Sequence, residues 1–151
     1  MKTLLVPIDF SAQTRLVVSE AVALALPGRA RIVLVHVLQS PDVIADYGTA
    51  GSYLIPVLET MGRDAARQLA SWKKRIESKG LAVSTEQLSG AARPKLIADL
   101  ARRIGADYIV MGSHGHTAFY DVIAGSTTSS VLKLAPCPVV IVPPGRKAPA
   151  R

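Results

Sequence analysis

The sequence predicts an α/β domain with a single doubly wound, five-stranded parallel sheet and helices on both faces. Five short apolar runs typical of strands alternate with four longer runs in which apolar residues recur every three or four positions, as in helices. Two of the strand-like runs are almost continuously apolar, which indicates strands covered on both faces. With 151 residues the chain has the length of one domain. We expect residues 1–144 to form it and residues 145–151 to be a disordered basic tail.

The predicted order of elements is β-α-β-α-β-α-β-α-β. The five predicted strands are residues 2–8, 31–38, 81–88, 108–111 and 138–142. Strands that alternate with helices pair in parallel, and their crossover connections are right-handed. The helices are therefore expected to cover the sheet from both sides.

Capping residues and apolar periodicity define the first two helices. Ser11 is the predicted N-cap of the first helix, which ends before Pro27. The second helix is the longest, and its apolar stripe runs over residues 54–76. Met61 and Trp72 belong to this stripe, so both are predicted to be core side chains.

Proline and glycine mark the remaining boundaries. Pro94 is a favourable first residue for the third helix, which continues to Ile104. The fourth helix is predicted over Ser126–Leu134, before a proline. Residues 40–52, rich in glycine and polar side chains, are predicted to be a mobile loop after the second strand.

Glycines after the fourth strand carry the clearest functional signal. Gly112 and Gly115 follow that strand, and Gly125 precedes the last helix. Glycine lets the backbone approach a ligand closely. The N–H groups of Gly125, Ser126 and Thr127 are expected to be the unpaired donors of a helix start, which suit phosphate oxygens. This pattern predicts a phosphate-bearing ligand, in particular a nucleotide; the alternative is a tight turn with an N-cap serine.

Two common nucleotide-binding motifs are absent from the sequence. No Gly-Lys-Ser/Thr occurs, so the P-loop pattern is missing. The spacing Gly112-x-x-Gly115 differs from the dinucleotide fingerprint and follows a late strand instead of the first. A P-loop NTPase and an ordinary dehydrogenase are therefore disfavoured.

Three strand ends are expected to meet at one site. Asp9 ends the first strand, Val37 lies near the end of the second, and Gly112 ends the fourth. In an open α/β sheet, ligands bind beyond the carboxyl ends of the strands, where the strand order switches. Asp9 would there hold ribose hydroxyls or a metal-bound water, and the backbone of Val37 would meet an adenine edge. The alternative for Asp9 is capping of the first helix beside Ser11.

Charge and cysteine content limit the possible partners. The net charge is +7, and a cluster of six cations on the second helix would fit nucleic acid. No aromatic residues interleave with those cations as stacking platforms, so we favour a solvated helix face and consider nucleic acid an unlikely partner. Cys137 is the single cysteine and is expected to be a buried, inert thiol. Without an apparent signal peptide or membrane span, the protein is expected to be cytoplasmic.

These motifs together resemble the universal stress protein family, in its ATP-binding branch. The resemblance covers nearly the whole chain, from residue 2 to about residue 143. It is carried by a first strand that ends in Pro7-Ile8-Asp9-Phe10-Ser11, a second strand that ends in His36-Val37, the spacing Gly112-x2-Gly115-x9-Gly125-Ser126, and an Ala-Pro-Cys-Pro-Val segment that begins at Ala135.

The resemblance implies a Rossmann-like sheet with strand order 3-2-1-4-5 and ATP in the cleft. It also implies a homodimer formed through the last strand, Val139–Val142, whose apolar edge would be a liability if left unpaired. The implied nucleotide-binding residues are Pro7 and Asp9 beside the nucleoside, Val37 at the adenine, and Met111, Gly112, Gly115, Gly125, Ser126 and Thr127 around the ribose and phosphates.

The loop between Gly115 and Gly125 departs from the family pattern. Asp121 stands where relatives often carry a basic residue, and His114 and His116 are less usual there than arginine or lysine. A missing cation would weaken the affinity for a triphosphate. Two histidines and an aspartate would alternatively bind a metal.

Three functions follow as hypotheses. The first is a regulatory protein that binds ATP, with Mg²⁺ or Mn²⁺ bridging the phosphates, acts as a nucleotide-dependent homodimeric switch on an unknown protein partner, and hydrolyses ATP slowly at most. The second is an adenylyl- or phosphoryl-transfer enzyme, suggested by His114 and His116, although related transferases use His-x-Gly-His. The third is an interaction module that binds no nucleotide.

Overall fold

The computed structural model describes residues 1–38, 49–113 and 125–145, and for residues 49–54 it describes the backbone only. Strands and helices alternate along these ranges, as predicted. The strands are β1 (Thr3–Pro7), β2 (Arg31–Leu38), β3 (Val83–Ser89), β4 (Tyr108–Gly112) and β5 (Val139–Val142). The helices are α1 (Thr14–Ala25), α2 (Thr49–Glu77), α3 (Arg93–Ile104) and α4 (Ser126–Leu134).

The five strands form one sheet in the order β3-β2-β1-β4-β5, and every pair of neighbours is parallel. The predicted α/β, Rossmann-like fold with strand order 3-2-1-4-5 is confirmed. The chain leaves β1 toward β2 on one side and returns to β4 on the other. The strand order therefore switches between β1 and β4, and the ligand site of such folds lies at this switch.

Two apolar clusters cover the two faces of the sheet. The first packs α1 and the second half of α2 against alternate residues of β1, such as Leu4 and Val6. The second packs α3 and α4 against the opposite face, which includes Leu5 and Ile109. Because successive strand residues point to opposite faces, the almost continuously apolar strands fill both clusters.

Helix α2 is longer than the sheet it covers. Its 29 residues span about 43 Å at the rise of an α-helix, whereas the 8 residues of β2 span about 26 Å. Ala65, Leu69 and Ile76 are buried in the stripe as predicted. Trp72 is partly buried and packs against the core, whereas Met61 is 49% exposed and its neighbour in the stripe, Val57, 53%, so the prediction that Met61 is a core side chain was wrong. The first half of α2 extends past most of the packed sheet face, and the strand side chains that reach its end are Leu38 and Gln87, beside Gly62.

Two boundaries also differ from the prediction. Helix α2 begins at Thr49 and includes Pro56, so residues 49–52 of the predicted loop are helical, and residues 39–48 lie outside the described residues. Helix α1 begins at Thr14 with Gln13 at its N-cap position, so Ser11 is not the N-cap. The carbonyl oxygen of Ser11 accepts the N–H of Thr14 instead, at 3.0 Å. Among the described residues, no helix is both long and apolar enough to cross a membrane.

Candidate functional site

A cleft of about 790 Å³ opens at the carboxyl ends of β1, β2 and β4. This volume lies in the range of small-molecule sites. Of the nine predicted site residues, eight line the cleft: Pro7, Asp9, Val37, Met111, Gly112, Gly125, Ser126 and Thr127. The ninth, Gly115, lies outside the described residues. The structure thus brings together residues that are up to 120 positions apart in the sequence.

Asp9 organises the loop between β1 and α1. Its Oδ1 accepts a hydrogen bond from the backbone N–H of Ser11 at 3.0 Å and one from the hydroxyl of Thr14 at 3.3 Å. Thr14 is the first residue of α1 and is buried. Asp9 therefore fixes the start of α1, which is the structural role that the sequence left open, and it does so from the wall of the cleft.

The edge of β2 near Val37 faces the cleft. The pairing of β1 with β2 ends at Pro7 opposite Val35, and the N–H of Ile8 makes the last contact with the carbonyl of Val35 at 2.8 Å. Strand β2 continues to Leu38, paired on its other side with β3. Beyond Val35 this backbone edge borders the cleft instead of a neighbouring strand, so the amide and carbonyl groups near Val37 lie where a planar base would meet them.

Helix α4 begins at the cleft without a side-chain cap, because its N-cap residue is Gly125. The first backbone hydrogen bond of the helix runs from the N–H of Ser129 to the carbonyl of Gly125, at 2.9 Å. The N–H groups of Ser126 and Thr127 precede this bond and have no partner within the helix. With the positive end of the helix dipole, they form a suitable contact for an anion.

The N–H of Gly125 is not one of these available donors. It donates to the carbonyl of Ser113 at 2.7 Å, so the prediction that it is unpaired was wrong. The hydroxyl of Thr128 donates to the carbonyl of Gly112 at 2.9 Å. These two bonds hold the end of β4 against the start of α4. The role of Gly125 is therefore to close the loop and to leave space at the helix start.

The carbonyl of Val142 ties the last strand to this region. It accepts the N–H of Ser113 at 3.0 Å and the side-chain amide of Gln13 at 2.7 Å. Gln13 lines the cleft at the start of α1. The end of β5 is thus hydrogen-bonded both to the segment after β4 and to a wall of the cleft.

His36 is a half-buried structural residue that lines the cleft. Its Nδ1 donates to the carbonyl of Ile8 at 2.8 Å, and its ring lies 4.4 Å from the ring of Phe10. Nδ1 must carry the hydrogen in this contact, because a carbonyl oxygen only accepts. The pair shapes the end of β1 beside Asp9.

Several cleft residues were not predicted from the sequence. They come from helices: Gln13 from α1, Met61, Asp64 and Gln68 from α2, and Arg93 and Ile97 from α3. The middle of α2 supplies one wall of the cleft. Arg93 is the only arginine or lysine among the described residues that line the cleft.

The position of Arg93 gives a testable expectation. Arg93→Gln should weaken ATP binding by about 3- to 10-fold, and AMP binding less, because a triphosphate carries more charge for the guanidinium to attract. Titration calorimetry with both nucleotides measures the two changes. Arg103→Gln, on the same helix outside the cleft, is the control. Equal losses for ATP and AMP would contradict a charge effect.

The predicted alternative metal site cannot be placed, since His114, His116 and Asp121 lie outside the described residues. Within residues 1–38, 49–113 and 125–145, no three histidine, cysteine or acidic side chains cluster in a way that would hold a metal ion. Cys137 is half-buried, and burial, followed by the negative charge of Asp107, raises the pKa of its thiol. A raised pKa keeps a thiol protonated and unreactive.

Three of the six clustered cations pair with acidic residues of α2. Arg63 pairs with Glu59, Arg67 with Asp64, and Lys73 with Glu77. Pairs of this spacing are typical of a solvated helix surface.

Curated relatives are similar to this chain over nearly its whole length. The chain is 28% identical to universal stress protein MJ0531 of Methanocaldococcus jannaschii, over 97% of this chain and 84% of that protein. It is 30% identical to universal stress protein A homolog 1 of Coxiella burnetii, over 93% of this chain and 95% of that protein.

Solved structures share the fold. The structure of MJ0577, also from M. jannaschii, superposes with a TM-score of 0.81 at 26% identity and covers 97% of this chain and 98% of its own. One is a universal stress protein from Archaeoglobus fulgidus in complex with dAMP, with 20% identity and a TM-score of 0.66 over 93% of this chain and 97% of its own. Another is a universal stress protein in complex with cAMP, with 21% identity and a TM-score of 0.63 over 93% of this chain and 95% of its own. At these identities the last two show the fold alone.

The profile of the universal stress protein family matches residues 1–143. The match includes all five strands, all four helices and the cleft. The chain therefore belongs to the universal stress protein family.

Proposed function

We propose that the protein binds ATP in the cleft and acts in a stress response as a nucleotide-dependent homodimeric switch on a protein partner. The observation that carries this proposal is the convergence on one cleft of the Asp9 carboxylate, the open edge of β2 at Val37 and the uncapped start of α4. These three features suit, in turn, a ribose, a base and a phosphate. Complexes of the same fold with dAMP and cAMP make an adenine nucleotide the first ligand to test.

Each predicted residue has a specific role in this proposal. Pro7 and Asp9 flank the nucleoside, and Asp9 accepts hydrogen bonds from ribose hydroxyls. The backbone at Val37 contacts the adenine edge, and Met111 supplies an apolar contact from the buried end of β4. Gly112 and Gly115 allow close approach of the backbone. Ser126 and Thr127 donate their N–H groups to phosphate oxygens beside Gly125.

The residues that the structure describes fit a nucleotide with its metal. The helix start has donors for the phosphates, and Asp9 is a cleft carboxylate that would hold a metal-bound water. Mg²⁺ or Mn²⁺ would be bound chiefly by the phosphates and would neutralise their charge. Arg93 adds the cation that the sequence of the glycine loop lacks.

We expect hydrolysis to be slow, with a turnover number below about 1 s⁻¹. Asp9, the carboxylate at the end of β1, is already engaged in holding the start of α1. Among the described residues that line the cleft, no other side chain is positioned to serve as a general base and to orient the attacking water. A steady-state rate above that value would contradict a regulatory role. The transferase alternative depends on His114 and His116, and pyrophosphate release with an acceptor would test it.

The ligand itself is tested first. Freshly purified protein is denatured, and the released small molecules are identified by mass spectrometry. Titration calorimetry with ATP, ADP, AMP and cAMP, with and without Mg²⁺, then ranks the affinities. We expect a co-purified adenine nucleotide or a measurable affinity for ATP. The absence of both, for all four nucleotides, would overturn the proposal.

The homodimer part of the proposal rests on β5. This four-residue strand is an edge of the sheet, and it pairs only with β4 among the described strands. Three of its four apolar residues, Val139, Val140 and Ile141, are half-exposed. An apolar edge of this kind is a template for pairing with another chain. A second copy of the protein that pairs there would cover it.

The outward direction of the edge suggests a selective substitution. The carbonyls of Pro138 and Val142 accept hydrogen bonds from β4 and from the residue that follows it. Alternate residues of a parallel strand direct their N–H and C=O groups to opposite sides. The N–H of Ile141 therefore points away from β4. Ile141→Pro is expected to shift a dimer to monomer in analytical ultracentrifugation and to leave the monomer folded, since the lost N–H serves no internal bond. Val140→Pro, which removes an inward N–H, should instead lower the melting temperature. A dimer that survives Ile141→Pro uses another surface.

The last part of the proposal concerns the role of the protein in the cell. The family assignment supports a role in stress, and a single cysteine is compatible with the reducing cytoplasm in which we place the protein. The protein partner binds the surface whose conformation changes when the nucleotide binds. Pull-down with and without ATP tests this dependence directly.

A further inference from the structure

A second cavity, of about 420 Å³, lies between helices α1 and α2 and joins the cleft. We name it the α1–α2 groove. It is lined by Phe10, Ser11, Ala12, Thr14, Arg15, Gln68, Ser71, Trp72 and Arg75. Phe10, Ser11, Thr14 and Gln68 also line the cleft, so the two spaces share a wall.

The α1–α2 groove is suited to an anion. Arg15 comes from α1 and Arg75 from α2, and none of the described residues that line the groove is acidic. Neither arginine forms a salt bridge with a described carboxylate, whereas Arg63 and Arg67, nearer the start of α2, do so. The guanidinium of Arg75 lies 5.0 Å from the centre of the Trp72 ring, which holds it in place. Two cations from two helices thus face one space.

The shared wall has two unusual features. Phe10 has φ of 61°, a left-handed conformation that is costly for a bulky residue and that occurs disproportionately at functional sites. The hydroxyl of Ser11 is shielded from solvent and has no hydrogen-bond partner among the described residues.

We propose that the α1–α2 groove binds a phosphate carried on the 2′ or 3′ position of the ribose of a nucleotide in the cleft. This inference rests on the proposed function. Asp9, the residue assigned to the ribose hydroxyls, directly precedes Phe10 and Ser11 of the shared wall. A nucleotide with its 5′ phosphates at α4 and its ribose at Asp9 therefore has its hydroxyl edge beside the groove. A phosphate there lies within reach of Arg15 and Arg75.

Calorimetric comparison of three ligands tests this inference. AMP, adenosine 2′,5′-bisphosphate and adenosine 3′,5′-bisphosphate carry the same base and 5′ phosphate. One bisphosphate is expected to bind about tenfold more tightly than AMP, as for two partly exposed charge-assisted contacts. The gain should shrink as salt is added. The isomer that shows it identifies the ribose position.

Two variants test whether the tighter binding of the bisphosphate depends on the α1–α2 groove. In Arg15→Gln/Arg75→Gln, the ratio of AMP to bisphosphate dissociation constants should fall to about one, whereas Lys74→Gln, which removes a neighbouring charge outside the groove, should keep the tenfold ratio. Trp72, the only tryptophan of the chain, gives a second readout in the wild-type protein: its emission should change with the bisphosphate and not with AMP.

The outcomes are distinguishable. If AMP and ATP both fail to bind, the proposed function fails and this inference fails with it. If AMP binds but neither bisphosphate binds more tightly, the inference alone fails. A gain that persists in Arg15→Gln/Arg75→Gln, with unchanged Trp72 emission, would place the second phosphate elsewhere and overturn the assignment.

Discussion

Ser126→Asp is expected to lower the affinity for ATP by about 100-fold, which corresponds to about 2.7 kcal/mol. Ser126 is the first residue of α4 and lines the cleft. A carboxylate there would face the phosphates, and like charges about 5 Å apart repel by roughly 3 kcal/mol at an effective dielectric constant of 20. The comparison is made by titration calorimetry at one salt concentration.

Ser126→Asn is the matched control, because asparagine has nearly the shape of aspartate without its charge. Its loss of affinity should be far smaller than that of the aspartate variant. The fold should tolerate both, and an acidic residue in the first turn of a helix is favourable by about 0.3–1 kcal/mol. Melting temperatures of both variants and of the wild type, measured without nucleotide, test whether the fold tolerates the substitutions. Equal losses for both variants would mean that size, and not charge, excludes the ligand.

Leu5→Ala is expected to reduce the free energy of unfolding by about 3 kcal/mol. Leu5 has no exposed surface and lies in β1, the central strand, within the cluster that packs α3 and α4 on the sheet. Truncation leaves a cavity between layers that cannot collapse freely. Urea unfolding without nucleotide measures the change, since a bound ligand would add its own stability.

The control is the same substitution at an exposed leucine. Leu24 lies on α1 and is 49% exposed, so Leu24→Ala should change the free energy of unfolding by less than about 0.5 kcal/mol. A similar loss at both positions would mean that Leu24 is covered in solution. A small loss at Leu5 would mean that the layers of the sheet repack around the missing side chain.

The strands were predictable because the signal for a buried parallel strand is local. The apolar run that became β2 has the predicted bounds, and those of β1, β3, β4 and β5 differ by one or two residues at one or both ends. Helix α2 shows the limit of such patterns. Its periodicity identifies the side chains that share a face, but not whether a sheet lies beneath them, and for this reason Met61 was assigned to the core.

The site was predictable where the chain itself positions the residue. Asp9, Val37 and Gly112 lie at strand ends, and the topology alone brings strand ends together. Arg93 was not predictable in this way, because it reaches the cleft through the packing of α3 on the sheet. The pairing of the Gly125 N–H likewise depends on contact with Ser113, which lies 12 residues earlier in the sequence.

The hydrogen bonds of the Val142 carbonyl connect the last strand to the cleft. Through Ser113, this carbonyl lies two hydrogen bonds from Gly125 at the start of α4, and through Gln13 it contacts the cleft wall. In the proposed function, a nucleotide in the cleft and a second copy paired to β5 would act on the same few bonds. Linkage makes any such coupling reciprocal: the factor by which nucleotide tightens the dimer equals the factor by which dimerisation tightens nucleotide binding. The concentration of the protein itself would then set its sensitivity to the nucleotide.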